Sequence, residues 1–151
     1  MEDKEILEIS AKIERDFEKS LSEHKPFCEE INKMMADNDW NIKIVERKTE
    51  LSSKVCREML QPNRNPNIKT VISFCIGFRL SLTRTEHLLK SAGLAFDLSN
   101  KVHHIYYHLI ILNTYKKIDI IYCNKIIKAR GITKIDDFLG SHSREEKIET
   151  I

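Results

Sequence analysis

Two cationic side chains three residues apart, Lys54 and Arg57, lie in the run SSKVCREML, in which Cys56 and Met59 repeat at helical spacing. If these two apolar residues face inward on a helix, the two cations face outward. Basic side chains on an exposed helix can donate to guanine O6 and N7 in the DNA major groove. A hydroxyl can serve a base, and an aliphatic group can touch a thymine methyl. The sequence therefore predicts base contacts from Ser53, Lys54, Val55 and Arg57.

The surrounding residues indicate how this run is positioned. The stretch VERKTELSSKVCREMLQPNRNP predicts a short helix, a tight turn, a second helix that opens on serine, and a basic loop that ends at a proline. This order is typical of a helix-turn-helix. Ser52 is placed to cap the second helix, and the shared core is predicted at Val45, Leu51, Cys56 and Met59. An ordinary bend between two short helices remains an alternative interpretation of the same pattern.

A second set of polar residues is suited to the DNA backbone. Side chains in the loop over 61–65 can contact sugars and phosphates, and N–H groups at the start of the second helix can bind a phosphate oxygen. The predicted phosphate contacts are Ser52, Gln61, Asn63, Arg64 and Asn65. The charge distribution favours this region, because residues 41–96 have a net charge of +6, against −6 for 1–40 and +2 for 97–151.

The composition predicts an all-α chain, since 151 residues contain only 4 Gly and 3 Pro between long stretches at helical spacing. The first helix is amphipathic, with an apolar stripe of Ile6, Ile9, Ile13, Phe17 and Leu21. This stripe either packs on the chain's own core or pairs with a second copy. A further helix is predicted over about 27–38, and the helix-turn-helix occupies about 42–60. Later helices are predicted from Pro66, from a capping box at Thr83, from Ser99, and over about 119–130.

Residues 33–96 resemble the Cro and phage-repressor (XRE-type) family of helix-turn-helix regulators. The similar pieces are TELS, SSKVCREML, NRNP and IKTVISFCIGFRL. Downstream, LLKSAGLAF, HHIYYHLI and YCNKIIKARG resemble an extension found in one bacterial subgroup of these regulators. The resemblance implies a lambda-repressor-like DNA-binding domain. The predicted divisions are an N-terminal amphipathic helix over 1–25, the helix-turn-helix domain over 26–96, a C-terminal helical extension over 97–140 and a polar, frayed tail over 141–151.

Three positions depart from the pattern of this family. Glu50 stands where the turn usually carries glycine, and a non-glycine residue at positive φ costs about 1–2 kcal/mol. Glu46 replaces a small residue, so its carboxylate is expected to be exposed or paired with Arg47 or Lys54. Pro62 replaces a glycine and would stiffen the loop.

The C-terminal half contains polar residues with other possible roles. His103, His104 and His108 include an HxxxH spacing, but no nearby cysteine or carboxylate completes a zinc site at a recognised spacing. We therefore expect neither a metal nor a cofactor. Tyr106 and Tyr107 are expected to be half-buried, and Asn124 is expected to be a structural hydrogen-bonding residue.

Several classes of protein are disfavoured by the sequence. There is no nucleophile motif, glycine-rich phosphate loop or pair of carboxylates typical of an enzyme. No apolar run approaches the length of a membrane span. The cysteines are not arranged as CxxC, and three lie at apolar helical positions, which indicates buried free thiols in a reducing cytosol; they are Cys28, Cys56, Cys75 and Cys123.

From these patterns we predict a cytoplasmic, nucleoid-associated transcriptional regulator, bacterial or phage-encoded. It would bind double-stranded DNA through the helix at about 52–60, act as a repressor and form a homodimer. The alternative is a protein-interaction module, such as an inhibitor or antitoxin, on a helix-turn-helix fold that has lost operator binding. Glu46 and Glu50 favour this alternative, in which a protein partner replaces DNA.

Overall fold

The computed structural model of the protein describes residues 2–23 and 25–142. This part of the chain is all-helical and contains no strand, as predicted. The helices are α1 (Asp3–Glu23), α2 (Phe27–Asn38), α3 (Ile42–Thr49), α4 (Ser53–Met59), α5 (Ile68–Gly77), α6 (Leu82–Ser91), α7 (Lys101–Tyr115) and α8 (Ile120–Ala129), followed by a 3-10 turn (Ile135–Asp137). None of these helices has the length and apolar character needed to cross a membrane.

Helix α5 lies at the centre of the fold. Every residue from Thr70 to Ile76 is buried, as expected for a helix with apolar residues on all sides. It packs against α3, α6, α7 and α8. Its first residue is Ile68, two residues beyond the predicted start at Pro66, because the Asn67 side chain accepts a backbone N–H of the first turn. The buried core is continuous from α2 to Leu139, so 26–96 and 97–140 share it.

Two other predicted helix starts are wrong by one or two residues, because a neighbouring side chain makes the capping bond. Helix α6 begins after Ser81, whose Oγ accepts a backbone N–H of the first turn, and not at Thr83. Helix α7 begins after Asn100, whose Oδ1 accepts two such N–H groups. Ser99 instead donates its hydroxyl to Asp97 Oδ1 at 2.6 Å. Serine, threonine and asparagine are all good caps, so spacing alone does not choose among neighbours.

After α8 the chain returns to the core in a short segment that the apolar pattern did not indicate. Phe138 and Leu139 are fully buried. The Asn124 amide donates to the Leu139 carbonyl oxygen at 3.0 Å, and its oxygen accepts the Leu139 N–H at 2.8 Å. The structural role expected for Asn124 is therefore confirmed. Half-burial of Tyr106 is wrong, because this side chain is fully buried and its hydroxyl donates to the carbonyl oxygen of Asp137 at 2.5 Å.

Helix α1 stands apart from the remainder of the molecule. It is amphipathic, as predicted, but every residue over 2–20 is exposed. Within the described ranges, α1 makes no extensive contact with another helix. The possibility that its apolar stripe packs on the chain's own core is therefore wrong. The predicted stripe member Leu21 has a side chain outside the described part of the chain.

Candidate nucleic-acid interface

Helices α3 and α4 meet through a small buried core. Val45, Leu51, Cys56 and Met59 are between 1% and 8% exposed, which confirms the predicted set. The Thr49 hydroxyl donates to the Val45 carbonyl oxygen at 2.7 Å and accepts the Leu51 N–H at 3.2 Å. Burial raises the pKa of the Cys56 thiol, an effect that its contact with Thr49 partly opposes. This buried core holds α4 against α3.

The turn between the two helices contains a residue in the left-handed backbone conformation. Glu50 has φ 56° and ψ 18°, a region that favours glycine because it has no Cβ. Ser52 follows in an extended conformation, and its Oγ accepts the Val55 N–H at 3.2 Å. The predicted cap is therefore confirmed. The turn from α3 to α4 is only a few residues long, and α4 begins at the surface.

Two of the predicted base contacts, Lys54 and Arg57, lie on the outer side of α4. Lys54 and Arg57 are exposed, and neither forms an ion pair with any other residue over 2–23 and 25–142. Ser53 is partly exposed, and Val55 is partly buried against the core. Two unpaired cations are thus presented by a helix whose opposite side, at Cys56 and Met59, is buried.

The predicted phosphate contacts after α4 are all at the surface. The loop begins where the Gln61 N–H donates to the Glu58 carbonyl oxygen at 3.1 Å. Asn63 has φ 64°, a left-handed conformation that asparagine tolerates better than most residues. The exposed members of the set are Gln61, Asn63, Arg64 and Asn65. The structure therefore places this loop, with one cation at Arg64, next in sequence and in space to the end of α4.

The Glu46 carboxylate has a different partner from those predicted. Its Oε2 lies 4.0 Å from Nζ of Lys43, and the Glu46 side chain is only 16% exposed. Pairing with Arg47 or Lys54 is wrong, because Lys43 lies one turn earlier on the same side of α3. The nearby Lys43 cation partly offsets the repulsion that this carboxylate exerts on a phosphate.

A groove of about 510 Å³ separates the start of α4 from the start of α5. Its lining residues are Leu51, Ser52, Val55, Asn67, Lys69, Thr70, Ser141 and His142. Lys69, which the sequence reasoning missed, adds a partly buried cation beside the predicted contacts. Burial lowers the pKa of Lys69, and the carboxylates of Asp136 and Asp137 oppose that shift. The run NPNIK could have indicated Lys69, because this lysine lies two residues after an asparagine that can cap a helix.

The C-terminal segment contacts the turn of the α3–α4 unit directly. The Ser141 N–H donates to the Glu50 carbonyl oxygen at 2.9 Å, and the Ser141 Oγ accepts the Ser52 N–H at 2.9 Å. At Gly140 (φ 82°), an added Cβ would lie 3.0 Å from the Glu50 carbonyl oxygen. A frayed end beginning at Ser141 is therefore wrong, whereas 143–151 lie outside the described residues.

This contact changes the role available to Ser52. Ser52 is a predicted phosphate contact, but its N–H is already used by Ser141. The Ser52 hydroxyl accepts a hydrogen bond from Val55 but can still donate its own proton. A phosphate contact from Ser52 therefore requires the hydroxyl, or displacement of Ser141.

Within the described ranges, the histidines and cysteines of the C-terminal half do not form a metal site. His103 Nδ1 accepts the Asp97 N–H at 3.0 Å, and the rings of His104 and His108 have centroids 4.6 Å apart. In the part of the chain that the structure describes, no three or more His, Cys, Asp or Glu side chains are grouped to hold a metal ion. The predicted burial is confirmed for Cys56, Cys75 and Cys123, and Cys28 is partly exposed.

Comparisons of the chain with protein families, with curated proteins and with solved structures give no match. The features that bear on function are therefore the residues and geometry of this surface. Its components are a fixed, capped helix with two outward cations, an exposed loop with a third, and Lys69 in the adjoining groove.

Proposed function

We propose that this protein is a sequence-specific, DNA-binding transcriptional regulator that acts as a repressor and as a homodimer. One observation carries the proposal: Lys54 and Arg57 project unpaired from α4, while Cys56 and Met59 bury its other side. Recognition of bases needs donors held on a rigid element, because each bond must form with little loss of conformational freedom. The Ser52 cap and the buried core provide that rigidity.

The arrangement of α2 to α6 supports a lambda-repressor-like helix-turn-helix domain. In this interpretation α3 and α4 are the two helices of the motif, joined by a turn with a left-handed residue at Glu50. Helix α5 closes the core behind them. The second helix of such a motif enters the major groove with its N-terminal residues near base edges, which corresponds to Ser53 and Lys54 here.

The proposed contacts divide into two kinds. Lys54 and Arg57 donate to guanine O6 and N7, with Ser53 and Val55 beside them, and these contacts determine base preference. The loop over 61–65 and Lys69 contact phosphates, which position the protein without recognising sequence. Both kinds lie in the segment with a net charge of +6, residues 41–96. The electrostatic attraction to DNA therefore comes from the same region as the recognition.

A protein-interaction module is the second candidate, and two observations favour it. Ser141 already uses the Ser52 N–H, and Glu50 places an exposed carboxylate at the turn. Both features weaken contacts with a phosphate next to the start of α4. In this case duplex DNA would bind weakly and without base preference, and a protein partner would cover α4.

Selection of bound sequences from a random duplex pool, using the full chain, tests the proposed function. We expect enrichment of a consensus with guanines where Lys54 and Arg57 dock, repeated in two half-sites related by a two-fold axis. A pool that stays random after repeated selection at low salt, while the protein remains folded, would contradict the proposal and favour the second candidate.

A further inference from the structure

Helix α1 carries an uncovered apolar face. Its large apolar side chains are between 48% and 70% exposed; they are Ile6, Leu7, Ile9, Ile13 and Phe17. Four of the five recur at spacings of three or four residues and so share one side of the helix. In proteins most of the stability of an amphipathic helix comes from packing its apolar face against another surface. An apolar stripe of this size on such a helix indicates that another surface covers it.

We propose that a second copy of this chain covers the stripe, and that the two α1 helices pair antiparallel about a two-fold axis at Ile13. Ile13 then packs on the partner's Ile13, and Ile9 packs on the partner's Phe17. The exposed apolar side chains provide about 500 Å² per chain, so a pair buries roughly 1,000 Å², near the lower limit for a specific interface. The face is self-complementary, because Ile9 of each chain lies opposite Phe17 of the other chain.

Charge favours the antiparallel orientation. The start of α1 is strongly acidic, with one lysine among four carboxylates: Glu2, Asp3, Glu5 and Glu8 against Lys4. Residues 12–19 are neutral overall, with three cations and three carboxylates. A parallel pair would place the two acidic starts side by side. An antiparallel pair separates them, brings Lys12 to the partner's Asp16 along one edge of the stripe, and opposes the two helix dipoles.

The length of α1 also fits the proposed DNA-binding function, and this comparison with DNA rests on that function. Helix α1 has 21 residues, which corresponds to a length of about 31 Å. In an antiparallel pair, the C-terminal ends that lead to the two domains lie at opposite ends of the pair. Their separation is close to the roughly 34 Å between half-sites one helical turn apart. A parallel pair would start both domains from the same end, only about 10 Å apart.

Sedimentation or light scattering of the full chain without DNA tests the pairing. The wild type, at tens of micromolar, should have twice the chain mass of 17.7 kDa. Ile9→Glu with Ile13→Glu should raise the dimer dissociation constant at least 100-fold, because two carboxylates would be buried per helix. The matched control, Lys4→Gln with Arg15→Gln, changes the net charge equally on the opposite side of α1 and should remain dimeric.

The fold of both variants is checked by the unfolding transition of the single tryptophan, Trp40, which does not lie on α1. An unchanged transition in a monomeric Ile9→Glu, Ile13→Glu variant supports the proposal. A monomeric wild type, or equal dissociation of both variants, would overturn it. Because no DNA is present, failure of the proposed DNA binding leaves these results unaffected.

Cysteine cross-linking in a Cys28→Ser background tests the orientation. Ile13→Cys should form a disulfide-linked dimer by itself. Ile9→Cys should link only when mixed with a differently tagged Phe17→Cys chain. Efficient linking of Ile9→Cys to itself would overturn the antiparallel arrangement, because only a parallel pair brings two copies of that position together.

Discussion

Replacement of Asn124 by alanine should destabilise the fold and release the C-terminal segment from the α3–α4 turn. Asn124 is 4% exposed, and its amide makes both hydrogen bonds to the backbone of Leu139. Without the amide, the Leu139 N–H and carbonyl are left unpaired in the core. Each unpaired buried group costs about 1–3 kcal/mol, so the expected loss is roughly 2–6 kcal/mol in the free energy of unfolding.

The structure also sets an upper limit to this loss. The segment can instead detach and expose Phe138 and Leu139, both fully buried in the native protein. Exposure of two such side chains costs about 3–6 kcal/mol. Detaching the segment therefore costs about as much free energy as keeping it in place with the Leu139 N–H and carbonyl unpaired. In the detached state the Glu50 carbonyl and the Ser52 N–H lose Ser141.

Urea unfolding followed by Trp40 fluorescence measures this loss, since Trp40 stacks on Phe78 with ring centroids 4.9 Å apart. The Asn124→Ala variant should also melt roughly 4–24 °C below the wild type, given about 2–4 °C per kcal/mol for a chain of this size. Asn65→Ala, in the exposed loop, is the control and should change stability by less than about 0.5 kcal/mol. Equal midpoints for Asn124→Ala and the wild type would refute the role assigned to this amide.

Three further predictions concern the cap, the charge and the thiols. Ser52→Ala should lower the free energy of unfolding by about 1 kcal/mol through loss of the cap; an unchanged urea midpoint would contradict this. Affinity for duplex DNA should fall with salt at a log–log slope of about −4 to −7, if roughly 4–8 phosphates are neutralised per dimer; a slope near zero would exclude the electrostatic contacts. Burial raises the pKa of the Cys75 and Cys123 thiols from 9.0 to about 12. As the pH rises, the unfolded chain loses these protons at a lower pH than the folded chain does. The free energy of unfolding should therefore fall between pH 9 and 12, by about 1.4 kcal/mol for each thiol and each pH unit. Cys75→Ala with Cys123→Ala should flatten this slope in urea titrations at several pH values, and an identical slope would contradict the assignment.

The α3–α4 unit could be predicted closely because its determinants are local. The apolar spacing from Val45 to Met59 and the serine at 52 specify two short helices and a cap within a few residues. Local rules were less decisive where several good caps adjoin. Ser81 and Thr83 are both acceptable caps by residue type, and the structure uses Ser81.

The C-terminal contact with the turn could not be predicted because it joins residues far apart in the sequence. Phe138 and Leu139 form a short apolar pair in a polar context, which has no helical or strand period. The bond between Ser141 and Ser52 spans 89 positions. A serine in a polar tail gives no indication of such a partner. Exposure of the α1 stripe also required the structure, since an amphipathic pattern alone does not identify what covers the helix.

The most direct test of the central claim is a comparison of binding to the selected duplex and to a scrambled one. Lys54→Ala and Arg57→Ala should each lose about 1–3 kcal/mol on the selected duplex and little on the scrambled one. Arg64→Ala should weaken both duplexes alike, since a phosphate contact carries no base identity. Lys117→Ala, an exposed lysine between α7 and α8, controls for charge alone. If Lys54→Ala and Arg57→Ala reduce binding to both duplexes equally, α4 does not recognise sequence and the account is contradicted.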